Sequence, residues 1–357
     1  METVSFKTIR LMRIFSLFFI YIIAPLFLFS CDSIIQDPLT NFTAQQTERI
    51  KPSKLIELED YGVLRPNEAL KYGDGYIIYD RKREDVVTYV NFSTGKYVSG
   101  VNFGNGPNEL IMFNGLKIIN DKPHIYDMSH KRIFEIIIVQ DSLLQIEPYR
   151  DINYNKRLLL IELHGNNIIA SGLFGDCWIG YVDILNGDLL SGIDFPTFEN
   201  TNQLQKIQKS IVYASSHIAI SPDSKKFVVA TQTAGVISFS NIDVTYITEY
   251  KQLKYFPPDF SVVQGGNIVY SKKGKSGFCG VECDDDFIYA LYSGRTFNSH
   301  GETVNYCEHL LVYDWEGNPI KRYILDIPMW SMKYDREKNS IYGTAYNPEG
   351  LFIEYQL

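Results

Sequence analysis

The stretch Asp284-Asp285-Asp286-Phe287-Ile288-Tyr289-Ala290-Leu291 joins an acidic turn to a short apolar strand, and its core recurs along the chain. Close copies are Ile78-Tyr79-Asp80, Ile125-Tyr126-Asp127 and Ile341-Tyr342-Gly343, with weaker ones at Ile168-Ile169-Ala170 and Val228-Val229-Ala230. From Tyr79 to Tyr342 the middle residues lie 47, 43, 60, 60 and 53 positions apart. Short strands repeating every ~40–50 residues mark a β-propeller, in which each unit buries its faces only against neighbouring copies.

The surroundings of each copy agree with that reading. A turn precedes it, as in Gly73-Asp74-Gly75, Asn120-Asp121-Lys122-Pro123 and Pro222-Asp223-Ser224-Lys225, using the residue types that tight turns require. A second apolar strand follows: Val86–Val90, Ile133–Val139, Ile179–Val182, Val236–Phe239, Leu310–Tyr313 and Leu351–Tyr355. Tyr89 to Val98 and Tyr181 to Leu190 are one hairpin pattern repeated 92 residues later, and Val312 to Ile320 is a shorter version. Glycine at each tip supplies the positive φ that closes the hairpin. The unit is a four-stranded antiparallel meander, and six units over residues 51–357 predict an all-β, six-bladed propeller. The last unit runs out at Leu357 without an outer strand. Because an unpaired edge invites aggregation, the segment Lys54–Leu58 is expected to close the ring. The 60-residue spacings predict a short surface helix near Thr201–Lys209 and a long loop over Tyr255–Gly266.

The N-terminus reads as a targeting segment. Lys7, Arg10 and Arg13 precede the apolar run Ile14–Phe29, 16 residues broken by Pro25 and short of the ~20 needed to span a bilayer. Leu28-Phe29-Ser30-Cys31 follows, with the pattern of a lipobox. The expected organisation is a lipoprotein signal peptide over 1–30, a tether over 31–50 and the propeller beyond. Two or more acyl chains on Cys31 would hold the protein stably on a membrane. The expected result is a soluble domain tethered to a membrane outside the cytoplasm.

Without residues 1–30 the chain keeps 31 basic and 41 acidic residues. Arg81-Lys82-Arg83 is its one basic block, partly neutralised by Glu84 and Asp85. Nucleic-acid binding needs a concentrated positive face, so it is not expected. Cys279 and Cys283 stand ~13 Å apart along a strand, beyond disulfide reach; either can pair with Cys307, and Cys177 completes the set. No histidine lies at zinc-ligand spacing from them.

The Leu28–Cys31 box, the loop Gly104-Asn105-Gly106-Pro107-Asn108-Glu109-Leu110, and the stretches Val312–Pro319 and Ile341–Glu349 together resemble the TolB-like six-bladed propeller lipoproteins of Gram-negative gut bacteria. The resemblance implies the fold and an address, the cell envelope of a Gram-negative bacterium with the protein lipid-anchored and facing the periplasm, since its motifs are structural punctuation.

No Gly-x-Ser-x-Gly elbow appears, and the six histidines are dispersed. The Gly104–Glu109 loop lacks the Lys-Ser/Thr of a phosphate-binding loop and reads as a turn with Glu109 accepting backbone N–H groups. Inner propeller strands face a central channel. His217 and Glu282 are therefore candidate ligand-binding residues, with Glu109 and Arg295 in neighbouring loops. Leu116–Ile119 and Leu159–Ile161 offer no carboxylate, and only Glu162 follows. A catalytic divalent ion needs several converging carboxylates, so the sequence favours a binding or scaffold module for a protein, envelope glycan or small ligand. The alternative is a metal-dependent extracytoplasmic hydrolase or lactonase with its site at the channel. No catalytic residue, metal or cofactor is expected, and the chain is expected to be a monomer.

Overall fold

The structure, a computed structural model, describes residues 37–80, 84–139 and 142–357. Residues 1–30, expected to be a signal peptide, lie outside the described residues, as do Cys31 and Arg81–Arg83. No helix among the described residues is long and apolar enough to cross a membrane.

Six four-stranded antiparallel blades form a ring. Blade 1 comprises Pro66–Tyr72, Gly75–Asp80, Asp85–Asn91 and Lys96–Phe103, with Glu109–Leu110 added parallel at its outer edge. Blade 2 is Phe113–Ile119, Lys122–Asp127, Arg132–Val139 and Leu143–Asp151. Blade 3 is Leu158–His164, Asn167–Gly172, Ile179–Asp183 and Asp188–Ile193. Blade 4 is Ser216–Ile220, Lys226–Thr231, Val236–Ile242 and Ile247–Lys254. Blade 5 is Phe278–Cys283, Phe287–Tyr292, Cys307–Asp314 and the first half of Pro319–Asp335. That long strand continues as the inner strand of blade 6, which adds Ser340–Tyr346 and Gly350–Gln356.

The outer strand of blade 6 is Lys54–Glu57, antiparallel with Lys54 opposite Glu354 and Glu57 opposite Leu351. The ring is thus closed by an N-terminal strand. Lys54 Nζ lies over the rings of Phe92 (4.9 Å) and Phe352 (5.7 Å), tying blade 1 to blade 6.

The repeated motif occupies the second strand of every blade. Gly75–Asp80 is buried at all six positions, and in Phe287–Tyr292 only Phe287 is partly exposed. A middle strand packs against a neighbouring blade on each face, so it reads as an apolar run instead of alternating. Outer strands such as Asp188–Ile193 are exposed for most of their length. Among the described residues the buried apolar side chains form six clusters, one at each blade–blade junction. Among the described residues there is no further cluster at the centre, and stability resides in these wedges.

The connections differ in part from the sequence expectation. The helix near the fourth unit is Lys206–Tyr213 (α1), after a single 3-10 turn at Glu199–Thr201. The expected loop over 255–266 contains half of a small hairpin, Phe260–Val262 paired with Ile268–Tyr270, whose β-branched content the polar flanks obscured. Residues 37–50, read as tether, are folded onto blade 5. Pro38–Asn41 forms a 3-10 turn, Phe42 packs on Tyr313, and Thr47–Ile50 pairs parallel with Arg322–Leu325. Their lack of periodicity hid a segment held by single contacts. Cys177, Cys279, Cys283 and Cys307 are all free thiols.

Candidate functional site: a charged ring between two channel mouths

Each inner strand places one titratable side chain in the central channel. In ring order these are Glu68, Lys117, Glu162, His217, Glu282 and Lys333. Four of them, Glu68, Glu162, Glu282 and Lys333, are the cross-strand partners of the motif centres Tyr79, Ile169, Tyr289 and Tyr342.

The charges satisfy one another. Lys333 Nζ lies 3.2 Å from Glu68 and 3.1 Å from Glu282, and Lys117 Nζ lies 3.1 Å from Glu162. Lys117 also donates to the Ile161 carbonyl, and Glu68 Oε2 accepts from the Leu116 N–H at 3.1 Å. Burial opposes the Lys333 charge, but Glu282, Glu68 and Glu162 outweigh it and hold its pKa well above the usual lysine value. Burial raises the Glu282 carboxyl, against the pull of Lys333. His217 breaks the alternation: burial, then Lys333, push it down to about 4, so it stands neutral near pH 7 between blades carrying Glu162 and Glu282.

A cavity lies on either side of the ring. On the face where the first-to-second-strand turns project, here the hairpin face, a space of about 410 Å³ is bounded by Lys71, Asp335, Arg336 and Glu337. Lys71 bonds Asp335 at 2.9 Å and Glu337 at 3.4 Å, and Arg336 pairs with Asp285. On the opposite face, where the chain crosses between blades, a space of about 380 Å³ is bounded by Asn67, Asn114, Gln232, Asn305 and Trp330.

The crossover mouth is uncharged and braced. The Trp330 indole N–H donates to Asn67 Oδ1 at 2.9 Å, Ser276 Oγ donates to Asn305 Oδ1 at 2.7 Å, and Asn114 Nδ2 donates to the Leu159 carbonyl at 2.8 Å. Asn114 Oδ1 is buried without a hydrogen-bond partner. Trp330 stands edge-on to Tyr306 at 5.6 Å, and Tyr306 stacks on Tyr346 at 5.6 Å. Buried polar groups normally find partners, and this amide oxygen belongs to a residue that lines the same cavity as Trp330.

Of the residues singled out by sequence, His217 and Glu282 share this crossover cavity. Glu109 and Arg295 border neither cavity. Glu109 Oε2 accepts the Gly106 N–H at 2.5 Å and fills the space a Gly104 side chain would need, as its turn requires. Arg295 pairs with Glu308 and donates to the Thr303 carbonyl at 3.3 Å, bracing a loop of blade 5. Sequence reasoning missed Glu68, Lys117, Lys333, the amides and Trp330. Asp284 serves its turn: it accepts the N–H groups of Asp286 (2.8 Å) and Phe287 (2.6 Å) and the Tyr289 hydroxyl (2.8 Å).

Among the described residues no three His, Cys, Asp or Glu side chains are arranged to hold a metal ion. Each channel carboxylate is engaged by a lysine ammonium group, Glu162 by Lys117 and both Glu68 and Glu282 by Lys333, so this donor set does not fit a divalent cation.

The architecture is that of a six-bladed propeller with an ion-paired channel. The TolB-like 6-blade propeller-like family matches residues 46–335, and the chain belongs to it. No curated protein matches the chain. Similar solved structures include a protein of Bacteroides fragilis, 11% identical over 87% of this chain and 100% of that one, with a TM-score of 0.49. The gluconolactonase of Xanthomonas campestris is 10% identical over 84% of this chain and 89% of its own, at 0.48. The calcium-binding regucalcin of Agrobacterium tumefaciens is 13% identical over 86% and 96%, at 0.48. At these identities the likeness is one of fold.

Proposed function

We propose that the protein is a lipid-anchored extracytoplasmic binding module whose crossover mouth holds a small, neutral, hydroxyl-rich ligand of the glycan class. The observation that carries this reading is the internal pairing of the channel charges, Lys117 with Glu162 and Lys333 with Glu68 and Glu282. What remains for a ligand is a set of neutral amides and an indole. Amides read hydroxyl groups, an aromatic face packs against a sugar ring, and the cavity is of small-molecule size. A hydrolase would need a nucleophile or a metal-activated water, and the ammonium groups stand where such a metal would gather its carboxylates.

The test is a titration of neutral mono- and oligosaccharides read by tryptophan fluorescence and thermal shift. The expected result is saturable binding, weakened about tenfold in Trp330→Phe, which removes the indole N–H that holds Asn67 in place. Lactone hydrolysis that needs an added divalent cation and vanishes in Glu282→Gln would overturn the reading in favour of the hydrolase.

A further inference from the structure

Three departures from the blade repeat lie on one face. They are α1 in the crossing from blade 3 to blade 4, the hairpin Phe260–Val262/Ile268–Tyr270 in the crossing from blade 4 to blade 5, and the helical turn Phe297–His300 between the second and third strands of blade 5. Strands alternate in direction, so all three connections leave from the crossover face. They brace one another. Tyr270 donates its hydroxyl to the Ile211 and Val212 carbonyls at 3.0 and 3.2 Å, and Gln208 Nε2 donates to the Gly266 carbonyl at 2.9 Å. Asn298 N–H donates to the Lys272 carbonyl at 2.9 Å, while Lys272 Nζ lies 5.4 Å over the Phe297 ring.

Each of the three exposes apolar side chains to solvent. Ile207 is 47% exposed, Val262 49%, Val263 43%, Val269 51% and Phe297 42%. Large contiguous apolar exposure calls for an occupant. Lys272 and Lys273 are exposed beside it and make no ion pair among the described residues. Lys206 and Lys275 are paired with Asp176 (3.0 Å) and Asp37 (2.8 Å).

The second observation is where the chain arrives. Asp37 is fixed at the margin of this surface by Lys275 and by the Tyr292 hydroxyl at 3.2 Å. Only five residues separate it from Cys31, a reach of about 20 Å fully extended. We infer that this surface of blades 4 and 5 docks on the bilayer to which Cys31 is anchored, its aliphatic and Phe297 side chains entering the interface and Lys272 and Lys273 meeting anionic headgroups. Apolar side chains rimmed by lysine are the chemistry of interfacial binding, and each lysine near an anionic surface strengthens it. The inference rests on the lipid anchor proposed above.

The test uses the full-length protein in phosphatidylethanolamine–phosphatidylglycerol vesicles, with a nitroxide on Val263→Cys or on Leu185→Cys. Leu185 is 59% exposed on the opposite face. The expected result is a Val263 label shielded from aqueous nickel chelate and open to oxygen, with the Leu185 label in water. A Val263 label left in water on vesicle-bound protein overturns the docking surface, as does label–label broadening from a second copy. Failure of the anchor is read separately, as an unmodified Cys31 peptide by mass spectrometry. Lys272→Glu with Lys273→Glu, placed on a Cys31→Ala chain, should weaken binding to anionic vesicles by about thirtyfold or more and leave binding to phosphatidylcholine unchanged. Equal loss on both lipids overturns the electrostatic part.

Discussion

The two mouths of the channel share one charged ring and differ in almost everything else. The hairpin mouth is dressed with Lys71, Asp335, Arg336 and Glu337, charges already paired, Lys71 with the buried Asp335 and the exposed Glu337, and Arg336 with Asp285. The crossover mouth is dressed with amides and Trp330, held by hydrogen bonds to neighbours. Pairs of exposed charges contribute little stability and offer a ligand little that water does not. Braced neutral groups keep their geometry and leave defined bonding sites. The same fold therefore supplies a solvated exit on one side and a recognition surface on the other.

The ring between the mouths should give the largest response. Lys333→Met removes the cation shared by Glu68 and Glu282 and leaves two carboxylates facing each other. A loss of about 3 kcal/mol is expected in urea unfolding at neutral pH, largely recovered when Glu282→Gln is added. A loss under about 0.5 kcal/mol would mean that water already screens the ring as it does the hairpin mouth.

His217 gives the next effect. Its folded pKa, about 4, lies below the ordinary value of 6.5. The unfolded chain therefore takes up a proton first, and the stability this histidine contributes above pH 6.5 is lost as pH falls towards 4. Denaturant melts across that range should show about 2 kcal/mol from this source, removed by His217→Asn. His309, pushed down to about 4 by burial and then by Arg322, supplies a parallel loss that His217→Asn leaves in place. The smallest effect belongs to the hairpin mouth. Arg336→Ala breaks a pair whose side chains are 63% and 46% exposed, and the midpoint should move by no more than about 0.5 kcal/mol.

The blades were legible because their middle strands are buried on both faces, which turns Ile78-Tyr79 or Ile288-Tyr289 into apolar runs beside turn residues. The closing strand was legible from an accounting of edges. The channel was not, because Glu68, Lys117 and Lys333 are single charges in otherwise ordinary strands. A usable signal existed: fixing the turn length places Glu68, Glu162, Glu282 and Lys333 opposite the motif centres. The mouth amides come from inner-strand starts (Asn67, Asn114) and from second-to-third-strand connections (Gln232, Asn305) of several blades, so only the closed ring gathers them.

The pairing of Lys54 with Glu354 also sets an order of assembly. The closing strand leaves the ribosome among the first parts of the propeller, and its partner is made 300 residues later. Bringing together ends so far apart carries a loop-closure cost of about 5 kcal/mol. That cost falls once the intervening blades have formed and shortened the gap. Blades 2 to 4 can dock as they appear, while blade 6 and the seam with blade 1 wait for the whole chain. Until then both open edges need protection, and a chaperone that binds exposed strand edges would act on this last step.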